Sequence, residues 1–138
     1  MVFVLLMALL FAAFDFSYAV FVKATLHHAV REGVRFAIAG NTLAGMAHDA
    51  SIKSVVKRNS LSLLTAPEDE ATIQIRYYTA NGFGATAVNG AGNIVVVSVE
   101  NYEIPAVGPV LRTGNGYHVT VSALDKMEPF PGQPPARE

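Results

Sequence analysis

The chain has 138 residues, which is enough for one domain with a small core. Its formal net charge is −1 and no long run of one sign occurs, which argues against a nucleic-acid-binding surface. It contains no cysteine, which excludes disulfides, zinc–thiolate sites and thiol chemistry.

The first 40 residues predict one long helix with two different halves. Residues 1–22 contain a single charged side chain, Asp15, and neither Pro nor Gly. As a helix this stretch is roughly 33 Å long, enough to cross a bilayer core of about 30 Å. From Lys23 onward polar residues follow one face, so the helix continues as an amphipathic segment. We expect a membrane span over residues 1–22 and an amphipathic half that reaches residue 40.

Asp15 is the first candidate for an assembly contact. A charged carboxylate at bilayer depth costs a few kcal/mol unless it meets a partner. Two interpretations are open. Asp15 pairs with a basic group of a neighbouring subunit, or it lies hydrated at the membrane interface.

A stripe of small side chains is the second candidate, formed by Thr25, Ala29, Gly33 and Ala37. Their spacing places them on one helix face, where small residues let helix backbones approach closely. Gly33 costs about 1 kcal/mol in a helix interior relative to Ala, which indicates a close contact. The partner is either the head of the same chain or a neighbouring helix. In the second case we expect Gly33→Leu to disrupt assembly while the head still folds.

Three charged residues on the same helix, Arg31, Glu32 and Arg35, are the third candidate. One interpretation is a solvated face whose local pairs, such as Glu32 with Arg35, contribute a few tenths of a kcal/mol each. The other is charge registration with a neighbouring subunit. The sequence alone does not choose between them.

Residues 41–130 predict a small α+β head. Asp49 is a candidate N-cap for a short helix that runs to about Leu64. Three later segments predict strands, because they alternate or are continuously apolar: residues 72–78, 94–99 with a weak continuation to 104, and 117–123. Their short connections favour an antiparallel sheet of about three strands covering the second half of the first helix. Residues 131–138 are Pro-rich and polar, and predict a disordered tail.

Two stretches resemble the TadE-like family of minor pilins, from the tight-adherence branch of type IV pili. In the first, an apolar helix carries the acidic–aromatic pair Asp15-Phe16, followed by the run AVREGVRFA at residues 29–37. The second, residues 117–130, is similar to the closing strand of that family. The resemblance implies a pilin-like fold and a structural role in pilus assembly.

The resemblance also implies a location and partners. The chain is expected in the bacterial inner membrane as a single-pass protein with its head outside the cytoplasm, and further in a surface pilus. Other pilins or pilus-assembly membrane proteins are the expected partners. Lys23, Arg31 and Arg35 would by the positive-inside rule place the head in the cytoplasm. We follow the resemblance, because the basic leader typical of the family is absent before Met1, through a truncated start or because the protein is not processed, and this absence would explain the conflict.

Two alternative functions are open. One is a membrane-anchored extracytoplasmic binding module that recognises a ligand through the loop at residues 81–93 or the loop at 107–116. The other is a secreted domain, because Ser17-Tyr18-Ala19 has the small-x-small shape of a signal-peptidase site.

We expect no enzymatic activity, cofactor, metal, small-molecule substrate or nucleic acid. The sequence contains no G-x-S-x-G elbow, and no two histidines have H-E-x-x-H spacing. His27 and His28 are adjacent, so on a helix they point about 100° apart and cannot bind one metal ion together.

Overall fold

The computed structural model describes residues 1–104, 117–129 and 134–137, which form helices and one sheet. The elements are α1 Val2–Ile38, α2 His48–Asn59, the single turn α3 Asp69–Thr72, β1 Ile73–Tyr78, β2 Ala85–Thr86, β3 Ile94–Ile104 and β4 Tyr117–Lys126. The predicted α+β class is confirmed, with a long apolar helix, then a short helix, then an antiparallel sheet.

Helix α1 is continuous from Val2 to Ile38 because no proline interrupts its backbone hydrogen bonds and its one interior glycine is tolerated. It ends where Gly40 takes a left-handed φ of 65° and donates its amide to the carbonyl of Ala37, at 3.0 Å. Glycine adopts that conformation without a steric penalty, which makes it a common helix terminator. The chain then returns, and α2 packs along α1.

The bounds of α2 differ from the prediction at both ends. The helix begins at His48, so Asp49 lies inside its first turn and does not cap it. It ends at Asn59, before the predicted end. The cause is the backbone at Leu61 and the next residue, where φ is 50° and 66°. A right-handed helix cannot continue through left-handed residues.

The sheet has the strand order β2-β1-β3-β4 in the described part of the chain, with every neighbouring pair antiparallel. Strand β3 is central, as its continuous apolar run predicts. The fourth strand, β2, is the one that the sequence did not indicate. It has two residues, paired with Tyr77 and Tyr78, and lies inside a glycine-rich loop that masks any alternation.

A β-bulge in β3 explains why its alternation weakens after residue 99. Val99 pairs with Val121 while Tyr102 pairs with Val119, so β3 carries one extra residue, and Asn101 there has a φ of 57°. The bulge shifts the buried positions by one residue. The buried side chains are Val95, Val97 and Val99 before it, and Tyr102 and Ile104 after it.

The core lies between the buried face of α1, helix α2 and the inner face of the sheet. Its fully buried members include Val22, Leu26, Ala29 and Val30 from α1, Ile52 and Val56 from α2, and Val95, Val97 and Val99 from β3. Each fully buried aliphatic side chain of this size contributes about 1.5–3 kcal/mol. The head therefore depends on the second half of α1 for its stability.

Residues 134–137 differ from the predicted disordered tail, because they are bound to the head. The amide of His48 donates to the carbonyl of Ala136 at 2.9 Å. The Arg137 guanidinium donates to Oδ2 of Asp49 at 2.8 and 3.0 Å and lies 4.6 Å from the centre of the Tyr77 ring. A cation–π contact and a charged pair are specific features that composition alone does not predict.

His48 links this bound tail to the α1–α2 connection. The residue is fully buried, and its Nδ1 lies 3.0 Å from the carbonyl of Asn41. A carbonyl only accepts, so Nδ1 carries the proton and Nε2 does not. Within the described residues Nε2 has no hydrogen-bond partner. Burial lowers the pKa of His48; the Asn41 carbonyl and Asp49 oppose this effect, while Arg137 adds to it.

We expect acid to destabilise the head through His48. Its pKa is near 6.5 in the unfolded chain and lower in the folded one. Below that pH the unfolded chain binds a proton that the folded chain resists, so the free energy of unfolding falls as the pH drops. The measurement is urea unfolding of the full chain in detergent micelles, followed by circular dichroism between about pH 8 and pH 5.

Two variants assign this effect to one side chain. His48→Asn keeps a donor toward Asn41 and should flatten the loss of stability below pH 6.5. His118→Asn is the matched control, because His118 is exposed on β4. An unchanged acid response in His48→Asn would contradict the assignment.

Candidate membrane and helix-packing surface

The first half of α1, residues 2–21, has no cover from the head over most of its length. Twelve of its large apolar side chains are between 41% and 84% exposed. They are Val2, Phe3, Val4, Leu5, Leu6, Leu9, Leu10, Phe11, Phe14, Phe16, Val20 and Phe21. The buried face of the helix becomes continuous only from Val22 onward. We call residues 2–21 the exposed half of α1.

Among the described residues, α1 is the one helix long and apolar enough to cross a membrane. Its most apolar 18-residue stretch is 6% buried, unlike the core helix of a soluble protein. The exposed half is about 30 Å long, which matches the hydrocarbon thickness of a bilayer. Length and composition thus make a single-pass anchor possible, although an N-terminal signal sequence shares both properties.

Asp15 differs from its neighbours in the exposed half. Its side chain is 3% exposed, whereas Phe14 and Phe16 are 67% and 70% exposed. The structure therefore places its carboxylate in a buried position within this chain and not in a hydrated one. Pairing of Asp15 with a neighbouring subunit stays a prediction.

The small stripe of Thr25, Ala29, Gly33 and Ala37 is buried inside the head. Of the two partners left open by the sequence, the structure shows the head of the same chain. A Cβ at Gly33 would lie 2.5 Å from Cγ2 of Val56, a separation that real Cβ atoms do not show. The expectation that Gly33→Leu leaves the head folded is incompatible with this contact.

Arg31, Glu32 and Arg35 lie on a different face of α1, along a groove between this helix and β4. The groove has a volume of about 550 Å³ and is also lined by His27, His28 and Asp125. No ion pair joins the three charged residues to each other or to any other residue in the described ranges. They are accessible in this chain, and their role toward another subunit is untested.

Of the two loops proposed for ligand binding, the structure describes the first and not the second. The loop at 81–93 is partly tied to the tail, because Asn89 is buried and donates from Nδ2 to the carbonyl of Pro135 at 2.8 Å. The loop at 107–116 lies outside the described residues. A cut after Ala19 would leave the buried face of α1 from Val22 onward intact, so the fold is compatible with a secreted form.

Sequence reasoning missed the turn that follows α2. Leu61 is 69% exposed there, and Tyr102 donates its hydroxyl to the carbonyl of Leu63 at 3.0 Å. The sequence of this turn, LSLL at residues 61–64, is typical of the end of an amphipathic helix. Because the backbone is left-handed at Leu61 and the next residue, Leu61 is exposed whereas Leu64 is buried.

Residues 1–35 match the family model described as TadE-like protein. Over these residues the N-terminal helix is similar to that of TadE-like proteins. The match confirms the resemblance seen in the first helix and includes Asp15, Arg31, Glu32, Gly33 and Arg35. The second stretch of resemblance, residues 117–130, lies outside it. Searches of curated proteins and of solved structures gave no match.

We expect Gly33→Ala to destabilise the head. Alanine favours a helix by about 1 kcal/mol, but overpacking a core costs about 1–3 kcal/mol. The added methyl group would clash with Val56 Cγ2 at 2.5 Å. Urea unfolding of the full chain in detergent measures the difference.

A double-mutant cycle tests whether Val56 is the cause. Val56→Ala alone leaves a cavity and should also destabilise. The double variant Gly33→Ala/Val56→Ala should be more stable than the sum of the single effects predicts. Strict additivity would contradict a direct contact between the two positions.

Proposed function

We propose that this chain is a minor pilin or pilus-assembly component of a tight-adherence pilus. The observation that carries the proposal is the exposed apolar half of α1, which is part of one continuous helix and lies within the residues that match the TadE-like model. The TadE-like family is structural, which fits a role in assembly and not in catalysis. We infer that the protein acts through helix contacts and not through chemistry at a cleft.

The exposed half requires a cover. Each side chain of this size costs about 1.5–3 kcal/mol when water replaces an apolar environment. Lipid or other apolar helices can provide that environment. We propose the inner membrane as its first location, with the head outside the cytoplasm. From there α1 either packs with other pilin helices in a filament or remains in the membrane as a platform.

The assembly contacts that we propose are Asp15 and the charged residues beside β4. Asp15 lies in the part of α1 that would enter the membrane or filament. In such surroundings the free energy gained when a carboxylate pairs with a basic group is largest. Arg31, Glu32 and Arg35 are accessible beside β4. We do not extend the proposal to the small stripe, because its four residues already pack against the head.

Shearing of native cells, followed by fractionation and a blot for this chain, tests the function. We expect the protein in the membrane fraction and with the sheared filaments. Recovery in the membrane alone would restrict it to an assembly component at the pilus base. Recovery as a soluble protein with the mass of a chain that begins at Val20 would contradict the proposal and favour the secreted form.

We expect Asp15→Asn to lower the yield of filaments while the protein still inserts into the membrane. The substitution keeps the size of the side chain and removes its charge, so the loss would report the charge. Glu103→Gln, which makes the same change at an exposed position of β3, is the matched control. Equal filament yields for the two variants would remove Asp15 from the mechanism.

A further inference from the structure

One end of the head faces the exposed half of α1. Tyr18 is half-buried there and packs against the core. Tyr102, at the end of β3, lies near it, and Tyr102 donates its hydroxyl to the carbonyl of Leu63. The turn after α2 is thus beside the point where α1 leaves the head. We call this end the rim, and define it by Tyr18, Tyr102 and residues 57–63, which include the end of α2 and the turn after it.

The rim carries a fixed, exposed leucine. The Ser60 hydroxyl donates to the carbonyl of Lys57 at 2.7 Å and accepts from the amide of Leu64 at 3.2 Å. These bonds hold the turn while Leu61, at a φ of 50°, extends outward and is 69% exposed. An isolated exposed leucine needs no explanation in general. This one lies next to an apolar helix that itself requires cover.

Basic side chains lie beside the leucine. Lys57 and Arg58 are in the last turn of α2. Lys57 is 3.7 Å from Glu70, and Arg58 is exposed and forms no ion pair within the described residues. One turn earlier, Lys53 lines the same face. The rim therefore combines an apolar tip, a half-buried tyrosine and two basic side chains, and it borders the acidic turn that includes Asp69 and Glu70.

The length of α1 places this rim at the lipid surface. If residues 2–21 cross a bilayer, as the proposed function requires, they occupy about 30 Å of hydrocarbon. The headgroup layer then begins near residue 22, about one helical turn beyond Tyr18. Tyrosines are common at that depth, and basic residues there attract anionic lipids.

We propose that the rim docks on the anionic phospholipid surface of the same bilayer that α1 spans. Leu61 enters the interface, and Lys57 and Arg58 contact lipid phosphates. The head then has a fixed orientation on the membrane, because α1 and the rim attach it at two points. This inference rests on the proposed membrane anchor, and the test separates the two.

The absence of cysteine makes single-cysteine labelling direct. The full chain is reconstituted in phosphatidylcholine vesicles that contain about 30% of the anionic lipid phosphatidylglycerol. A fluorophore is attached at Ser62→Cys, which keeps Leu61 in place. A second label at Asn81→Cys, on the exposed loop after β1, is the control. A third at Leu9→Cys reports the exposed half of α1. Lipid-bound nitroxide is the quencher.

We expect quenching at positions 9 and 62 but not at 81. Quenching at 9 without quenching at 62 would overturn the docking while the anchor stands. No quenching at 9 or 62 would reject both the docking and the anchor. Equal quenching at 62 and 81 would overturn a docking specific to the rim.

Two pairs of variants, each with the label at position 62, test the contacts. Leu61→Ser should lower the quenching, whereas Phe83→Ser should not, although Phe83 is 71% exposed and also has a positive φ. Arg58→Glu should lower the docked-to-undocked ratio about five-fold or more, and Lys126→Glu, at the far end of β4, should not. Equal effects within either pair would overturn the proposed contact.

Discussion

The close approach of α1 and α2 at Gly33 is the constraint on which the head depends. With Val56 Cγ2 only 2.5 Å from the position of a Cβ at Gly33, no other residue fits without movement. The buried face of α1 continues from this point to β3, where Val97 lies 3.7 Å from the same position. Gly33 thus fixes the spacing between α1, α2 and the sheet. The small stripe is therefore a core feature of the head, even though its spacing is typical of helix association in membranes.

Much of the fold follows from hydrophobic pattern. Alternation at residues 72–78 predicts β1 almost to the residue, and the apolar run at 94–99 predicts the central strand. What pattern did not show depends on single backbone conformations. A left-handed φ at Leu61 ends α2 early, and a bulge near Asn101 shifts the alternation of β3. Such conformations are set by tertiary contacts that a local pattern does not contain.

The candidate site was predictable in its location but not in its partners. The apolar composition of residues 2–21 indicates a span, and their exposure agrees with that interpretation. Spacing also identified the small stripe, but spacing does not distinguish a neighbouring helix from the head of the same chain. The bound tail was missed because Pro-rich composition is typical of disorder. Its attachment depends on Arg137, whose cationic group meets both Asp49 and the Tyr77 ring.

The arrangement of α1 in the head has a mechanical consequence. The buried face of this helix extends from Val22 to Ala37, a distance of about 22 Å, and contacts α2, β3 and β4. A force along the helix axis is therefore shared by all of these contacts at once. Side chains that interdigitate in a close-packed core resist sliding together and do not separate one by one. Such a force would thus load the joint between the exposed half of α1 and the head in shear, the geometry in which many weak contacts resist extraction best.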